Sequence, residues 1–329
     1  MLQGPVSAAT TTERETQILS LSSKPALSRA ILPAWGVEKT QKETPGLSLS
    51  LQQAPSFDQN PTQTTISYTY DALYRLTDAV YSNGFEFHYT YDPVGNRLTQ
   101  TTCAPGVPCS TTTYGYDPAN RLTSVNGQAY QWDNNGNLLN DGTSAYAYDS
   151  QNRLISLAQG GHTYGFSYNG NGDRLTQTVD GTVTRYTLDL EAALTQVLSD
   201  GSNANLYGVN RLAQVSSSET DYFLGDALGS VRQLVDTSGV VRLAKNYEPY
   251  GSAMQSQGSK NSTYGYSGEA ADASGLTYLR ARFYSSYLSQ FIQPDAWSSR
   301  VDNYNNLSLY AFARDNPLRY VDPTGHFPA

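Results

Sequence analysis

The sequence predicts an all-β fold in which antiparallel β-hairpins lie edge to edge as a spiral sheet or a partial shell. A Tyr-Asp dipeptide recurs roughly every 20 residues through the middle of the chain, which indicates one supersecondary element used many times. Aromatic residues alternate with other residues before each copy, and glycine or proline follows most copies. The copies are Tyr70-Asp71, Tyr91-Asp92, Tyr116-Asp117 and Tyr148-Asp149, with the degenerate Trp132-Asp133 and Tyr168-Asn169.

Each copy is predicted to form a strand, a short turn and a return strand. An aromatic residue stands two positions before the Tyr or Trp, so both rings lie on one face of an extended strand. Most return strands begin with Arg-Leu, and we expect the Leu to point inward and the guanidinium to lie on a neighbouring ring. One hairpin cannot bury its aromatic face, so several hairpins should pair. The preceding aromatics are Tyr68, Tyr89, Tyr114, Tyr130, Tyr146 and Phe166.

The aspartate of each copy is predicted to be a turn residue. Its carboxylate can accept hydrogen bonds from backbone N–H groups just ahead, as in an Asx-turn. We therefore interpret these aspartates as scaffold rather than as a binding or catalytic site. They are Asp71, Asp92, Asp117, Asp133 and Asp149.

The chain divides into three predicted parts. Residues 1–61 are rich in Ser, Thr, Gln and Pro without a sustained period, so we expect a low-complexity leader that is flexible or orders only on assembly. Residues 62–215 hold the hairpin array. Residues 216–329 change character and form a second domain.

Two segments require a choice of secondary structure. Residues 190–198 could be helical, but the flanking strands favour β-structure. In residues 275–284, alternation predicts one strand with Arg280 and Arg282 pointing outward.

Composition and charge exclude several functional classes. The chain has 329 residues, of which 26 are Tyr and 27 are Gly, and 15% are charged. This polar, aromatic and turn-rich composition is typical of β proteins. The net charge of −8 argues against binding to a nucleic-acid backbone. No stretch is apolar for long enough to span a bilayer, and no signal peptide is visible after Met1.

The cysteines and histidines predict a disulfide and no metal site. Cys103 and Cys109 bracket a short loop and are too far apart for a CxxC pair, so we expect a disulfide if the chain is exported. His88, His162 and His326 show no ligand spacing. We therefore predict neither a metal ion nor a cofactor.

The repeats resemble the YD repeats of the Rhs/YD-repeat family, and the segment that follows looks like the Rhs repeat-associated core domain. The resemblance implies a hairpin spiral that closes into a hollow shell around a toxin or other effector, with the core domain plugging one end. The runs that match the core domain are 228–232, 247–251, 275–282 and 316–325.

The resemblance also implies self-cleavage just after an Asp-Pro-x-Gly motif by a pair of aspartates. The matching residues are Asp295 and Asp322, and the bond would lie between His326 and Phe327. One carboxylate would draw a proton from water while the other, protonated, polarises the carbonyl. The family has an arginine where this chain has Gln290, so a cation that could hold one carboxylate ionised is missing from that position.

Three functions follow as hypotheses. The first is a structural shell or assembly module of a bacterial-type secreted or surface protein, which self-associates or joins a longer Rhs-type shell subunit through open sheet edges. The second is a core that processes its own C-terminus once, by aspartyl autoproteolysis. The third is a cell-surface carbohydrate binder that uses exposed tyrosines. We favour the first, with an extracellular or cell-surface location.

Overall fold

The computed structural model describes residues 38–41, 47–51, 64–296 and 308–326. Strands dominate these residues, and the predicted all-β array of antiparallel hairpins is confirmed. Most of the predicted leader, residues 1–61, lies outside the described residues. The remaining regular structure comprises two short 3-10 turns, Tyr266–Gly268 and Ala313–Asp315.

The strands form four sheets, and in each sheet the strands are neighbours in chain order. The first sheet comprises β1 (Glu38–Gln41), β2 (Leu47–Leu51), β3 (Thr64–Tyr70), β4 (Leu76–Tyr81), β5 (Glu86–Tyr91), β6 (Arg97–Cys103), β7 (Ser110–Tyr116), β8 (Leu122–Val125) and β9 (Gln128–Ala129). The second comprises β10 (Gln131–Trp132), β11 (Leu138–Asn140), β12 (Ser144–Tyr148), β13 (Leu154–Gln159), β14 (His162–Tyr168), β15 (Arg174–Val179) and β16 (Thr182–Arg185).

The third sheet crosses the predicted boundary between residues 215 and 216, because β20 pairs with β21. It comprises β17 (Thr187–Asp189), β18 (Gln196–Ser199), β19 (Ala204–Tyr207), β20 (Arg211–Val215), β21 (Thr220–Gly225), β22 (Val231–Asp236), β23 (Val241–Tyr247) and β24 (Ala253–Gly258). The fourth comprises β25 (Ala270–Ala271), β26 (Leu276–Leu279), β27 (Arg282–Ser285) and β28 (Gln290–Phe291).

The repeat turns share one hydrogen-bond pattern, seen clearly at Asp71. Its Oδ1 accepts the backbone N–H groups of Leu73 and Arg75, each at 2.9 Å. Its backbone N–H donates to the Arg75 carbonyl at 3.0 Å, and the Arg75 side chain donates to Oδ2 at 2.6 Å. The same acceptance of two backbone N–H groups by Oδ1 recurs in the other four turns, and the side chain four residues on donates to Oδ2 in each. The recurring residues are Asp92, Asp117, Asp133 and Asp149.

The fifth residue after each turn aspartate, or after Asn169 in its copy, points to the inner face. Where three residues separate the aspartate from the Arg-Leu pair, the leucine of the pair takes this inward position. It is then fully buried, as Leu76 and Leu154 are. In two copies the Arg-Leu pair begins one residue later, after a turn of the same length, so Arg97 and Arg174 take the inward position instead. The expectation of an inward leucine is therefore wrong for Leu98 and Leu175, which are 40% and 38% exposed. A one-residue shift in a strand exchanges its two faces.

The two inward arginines attach the fourth sheet and its loop to the array. Arg97 donates to the Ser289 hydroxyl at 2.5 Å and to the Leu288 carbonyl at 2.7 Å. Arg174 donates to the Asp272 carboxylate at 2.6 Å, and both side chains of this pair are almost completely buried. Each arginine therefore joins segments that are far apart in the chain.

Apolar packing follows the same interface. The largest buried cluster combines inward leucines of the array with side chains of the fourth sheet and the segments beside it. Among the latter are Ile292 and Phe283. The ring centroid of Phe283 lies 5.1 Å from that of Phe166. The fourth sheet therefore covers the inner face of the second sheet, as a second layer covers any sheet with one apolar face.

The predicted strand over 275–284 is instead a hairpin. Leu279 pairs with Arg282 across a two-residue turn, in which Arg280 has a φ of +58°. The prediction that both arginines point outward is wrong for Arg282, whose side chain is 5% exposed. The turn reverses the chain, so alternation cannot continue through it.

We expect the Asp272→Ala variant to lose about 3–5 kcal/mol of unfolding free energy, because it leaves the Arg174 guanidinium buried without a counter-charge. Urea denaturation of the full chain measures this loss. Glu219→Gln is the matched control, since it removes a half-exposed partner of Lys260 and should lose less than about 1 kcal/mol. Equal losses in the two variants would contradict the role of the buried pair.

The second 3-10 turn buries another carboxyl, that of Asp315. Tyr250 donates its hydroxyl to the Asp315 carbonyl at 3.1 Å. Burial raises the pKa of the Asp315 carboxyl to about 7, although Arg75 and Arg97 oppose the shift. This carboxyl is therefore protonated in the folded chain under mildly acidic conditions.

Because the folded pKa of Asp315 exceeds its unfolded value, its contribution to stability is complete below about pH 4 and is lost as the pH rises through about 7. The slope approaches about 1.4 kcal/mol per pH unit between these values. Asp315→Asn should remove this part of the slope. Urea midpoints between pH 4.5 and 7.5 test it, and identical slopes in both proteins would contradict it.

Candidate functional site

The two aspartates of the predicted cleavage site meet at one guanidinium. Arg282 Nη2 lies 3.1 Å from Asp295 Oδ2 and 3.4 Å from Asp322 Oδ2. Both carboxylates are largely buried, with side chains 12% and 2% exposed. The fold thus brings together two carboxyls that are 27 residues apart in the chain (322 − 295).

A tight turn positions Asp322. Its Oδ1 accepts the backbone N–H of His326 at 3.1 Å and the Thr324 hydroxyl at 3.2 Å. Gly325 has a φ of +73°, and a Cβ there would lie 2.2 Å from the Leu279 carbonyl oxygen. Only glycine fits this position, because the turn is pressed against the hairpin that carries Arg282.

Asp295 is held from the other side. Its backbone N–H donates to the Leu309 carbonyl at 3.1 Å, and its Oδ1 lies 2.9 Å from His326 Nδ1. His326 therefore contacts Asp295 through its ring and Asp322 through its backbone N–H. The residue before the predicted scissile bond lies between the two carboxyls.

Arg282 is fixed by more than the two carboxylates. It donates to the Leu309 carbonyl at 3.0 Å and also to the Gly325 carbonyl. Its guanidinium carbon lies 3.5 Å from the centroid of the Phe291 ring, within the range of a cation–π contact. The cation is thus oriented by groups on three sides.

The electrostatics of the site depend on burial. Burial raises the pKa of the Asp322 carboxyl, and the nearby Arg282 guanidinium opposes that shift. Burial lowers the pKa of Arg282 to about 10, against the pull of the two aspartates. Arg282 therefore remains charged at neutral pH, and burial favours the protonated form of Asp322.

Sequence reasoning did not identify Arg282 as part of the site. Gln290, which stands where the family has an arginine, lies in β28 opposite Ser285. Arg282 comes from the neighbouring strand, so no spacing along the chain predicts its approach to Asp295. The only available signal is the arginine in the run 275–282 itself. Phe327, on the far side of the predicted scissile bond, lies outside the described residues.

The other predicted residues lie elsewhere. Each turn aspartate closes its own hairpin. Cys103 and Cys109 form a disulfide at the end of the β6–β7 hairpin. Within the part of the chain that is described, no helix has the length and apolar character needed to cross a bilayer.

A family model described as Teneurin YD-shell matches residues 52–318. A tRNA3(Ser)-specific nuclease WapA of Bacillus spizizenii is 30% identical over 271 residues, which are 78% of this chain and 12% of the nuclease. The toxin subunit YenC2 of Yersinia entomophaga is 35% identical over 99 residues, 29% of this chain and 10% of that subunit. This chain therefore spans only a small part of the length of these relatives.

Solved structures share the fold. The TcdB2-TccC3 structure superposes with a TM-score of 0.70 at 20% identity, covering 88% of this chain and 17% of that one. A Tc holotoxin pore structure of Photorhabdus luminescens gives a TM-score of 0.69 at 21% identity, covering 86% of this chain and 16% of that one. At these identities the likeness concerns the arrangement of strands.

Proposed function

Because this chain belongs to the teneurin YD-shell family, we propose that it is a wall segment of a larger shell and acts as a structural module. The observation that carries this proposal is the uninterrupted order of strands within each sheet, with the fourth sheet packed on the inner face. Such a wall separates an inside from an outside.

The edge of the third sheet is the surface that would join the next part of the shell. Among the described strands, β24 pairs only with β23. Its sequence, Ala-Met-Gln-Ser-Gln-Gly, is mostly exposed and has no charged residue and no proline. Proteins usually protect a free strand edge with charged residues or proline. An unprotected edge supports pairing with a strand of a longer shell subunit or of a second copy.

The relatives support a role in toxin delivery or assembly. Their names describe toxin subunits and tRNA nucleases, and this chain matches only about a tenth of their length. We infer that the wall belongs to a secreted or surface-exposed toxin-type protein. The Cys103–Cys109 disulfide supports this location, since disulfides persist in oxidising compartments.

Carbohydrate binding has less support. The repeat tyrosines Tyr68, Tyr89 and Tyr114 are buried and cannot stack on a sugar. Large exposed tyrosines such as Tyr74 and Tyr287 are scattered over different segments.

We expect the full chain to associate in a concentration-dependent way, because β24 offers unpaired backbone groups. Size-exclusion chromatography with light scattering should show masses above that of the monomer. Gln255→Lys with Gln257→Lys should restore the monomer, since like charges on an edge oppose pairing. Ile155→Lys, on an exposed position of β13, which is paired on both sides, is the control and should leave association unchanged. A monomer at every concentration would overturn edge pairing.

A second function, single-turnover autoproteolysis, is favoured by the position of His326 between the two carboxyls. In this proposal Asp295 takes a proton from water, whose oxygen adds to the His326 carbonyl carbon. Asp322 gives its proton to the carbonyl oxygen. Asp295 then gives the proton it took to the Phe327 nitrogen, and Asp322 takes a proton back from one of the two hydroxyls. The carbon–nitrogen bond breaks, which leaves a carboxylic acid at His326 and an amine at Phe327. Arg282 acts as a positioning residue that holds the pair together.

Intact-mass spectrometry tests the second function. The wild-type chain should lose residues 327–329, and Asp322→Asn should keep them because it has no carboxyl proton to give. Asp226→Asn, at a turn aspartate remote from the site, should cleave like the wild type. An uncleaved wild-type chain, or cleavage in Asp322→Asn, would refute this assignment without affecting the shell proposal.

A further inference from the structure

We propose that Glu86, His88 and Cys103 form a binding site for Zn²⁺ or a similar divalent cation, and that reduction of the Cys103–Cys109 disulfide opens it. One ligand atom from each of the three residues lies within 4.8 Å of the others. It is the one such three-residue group among the described residues. The site is independent of the Asp295–Asp322 pair and of the proposed shell function.

Strand pairing explains why these side chains meet. Glu86 and His88 alternate along β5 with Phe87, which is buried, so they share the opposite face. Cys103 is the direct cross-strand partner of Glu86. The three residues therefore lie on one face of two adjacent strands. Neighbours on such a face are close enough to bind one ion after small side-chain rotations.

The histidine is oriented as metal-binding histidines commonly are. His88 Nδ1 lies 2.7 Å from Asp78 Oδ1, which leaves Nε2 directed at Glu86 Oε2, 3.2 Å away. Asp78 is itself held by the Thr69 hydroxyl. A carboxylate on the far nitrogen fixes the ring and increases its basicity towards a metal. This supporting contact is already in place without an ion.

The disulfide controls the third ligand. In the disulfide, Cys103 Sγ carries no negative charge and is a poor ligand. A dithiol supplies two electrons and two protons, or a phosphine supplies the electrons and water the protons as the phosphine becomes its oxide, and the bond is converted into two thiols. Cys103 then releases its proton to solvent as Sγ binds the metal. Cys109 is exposed and lies outside β5 and β6, at the far end of the loop that joins β6 to β7, so these strands do not include it.

The ligand set selects the ion. Thiolate, imidazole and carboxylate together suit Zn²⁺, with bonds of about 2.0 to 2.3 Å and a fourth position open to water. Hard cations such as Mg²⁺ and Ca²⁺ prefer oxygen ligands alone. Because thiols are kept reduced in the cytosol and oxidised outside it, the site would load with metal only in a reducing compartment.

The histidine spacing of the sequence does not reveal this cluster. The ligands come from two strands, and the cysteine is brought opposite Glu86 only by the register of β5 and β6. A Glu-x-His pattern on a strand, followed by a cysteine on the next strand, is the signal that could have indicated it.

Titration of the full chain with Co²⁺ tests the proposal, since a cobalt–thiolate bond gives a characteristic charge-transfer absorption. The chain is reduced by a phosphine, freed of reductant and kept anaerobic. It should then bind one equivalent of Co²⁺ and show this absorption. Added Zn²⁺ should displace the Co²⁺ and abolish the absorption. The oxidised chain should not. Cys109→Ser should show the absorption without any reductant, whereas Cys103→Ser should never show it.

Further variants separate a built site from incidental binding. Asp78→Asn should weaken Co²⁺ binding by about 10- to 100-fold, because it removes the group that orients His88. His162→Ala is the matched control, as His162 also pairs with an aspartate, Asp180, at 2.6 Å but belongs to no described ligand group. The proposal is wrong if the reduced wild type binds no more tightly than Cys103→Ser, or if oxidised and reduced chains bind alike.

Discussion

The structure depends on the need to cover the aromatic face of a two-stranded ribbon. Edge-to-edge pairing satisfies the backbone of each hairpin, but it only extends the apolar face and never buries it. In this chain the fourth sheet supplies the missing layer. Phe283 and Ile292 pack among the inward leucines and rings of the second sheet. The wall and its filling are therefore parts of one folding unit.

The attachment between these layers comes from the position of the Arg-Leu pair relative to its turn. Where the pair begins one residue later after a turn of the same length, an arginine enters the core at the position that holds a leucine in other copies. Arg97 and Arg174 meet partners that a leucine could not bind, namely the Leu288 carbonyl and Asp272. A buried charge tolerates few alternative partners. These two residues thus fix which part of the fourth sheet lies on which hairpin.

Local features of the fold could be predicted from sequence, whereas features set by register could not. The alternating rings and turn aspartates act within a few residues, so the hairpins and their all-β class follow from them directly. The inward direction of Arg97 and the outward direction of Leu98 depend on where the Arg-Leu pair stands relative to its turn. The direction of Arg282 depends on the reversal of the chain before it. The meeting of Asp295 and Asp322 was implied by resemblance, and the arginine that joins them comes from a different strand.

The closed hydrogen-bonding of each repeat turn has a consequence for how such chains diversify. Since the turn aspartates accept the backbone N–H groups of their own next few residues, the turn of an added hairpin closes by itself. A neighbouring turn changes only in side-chain contacts such as that of Arg75 with the Asp92 carbonyl. Gene segments can then be gained or lost in units of one ribbon. The number of hairpins is limited by the interior, because every added hairpin brings aromatic rings that must be buried against another layer. The number of hairpins and the size of the layer that covers them must therefore change together.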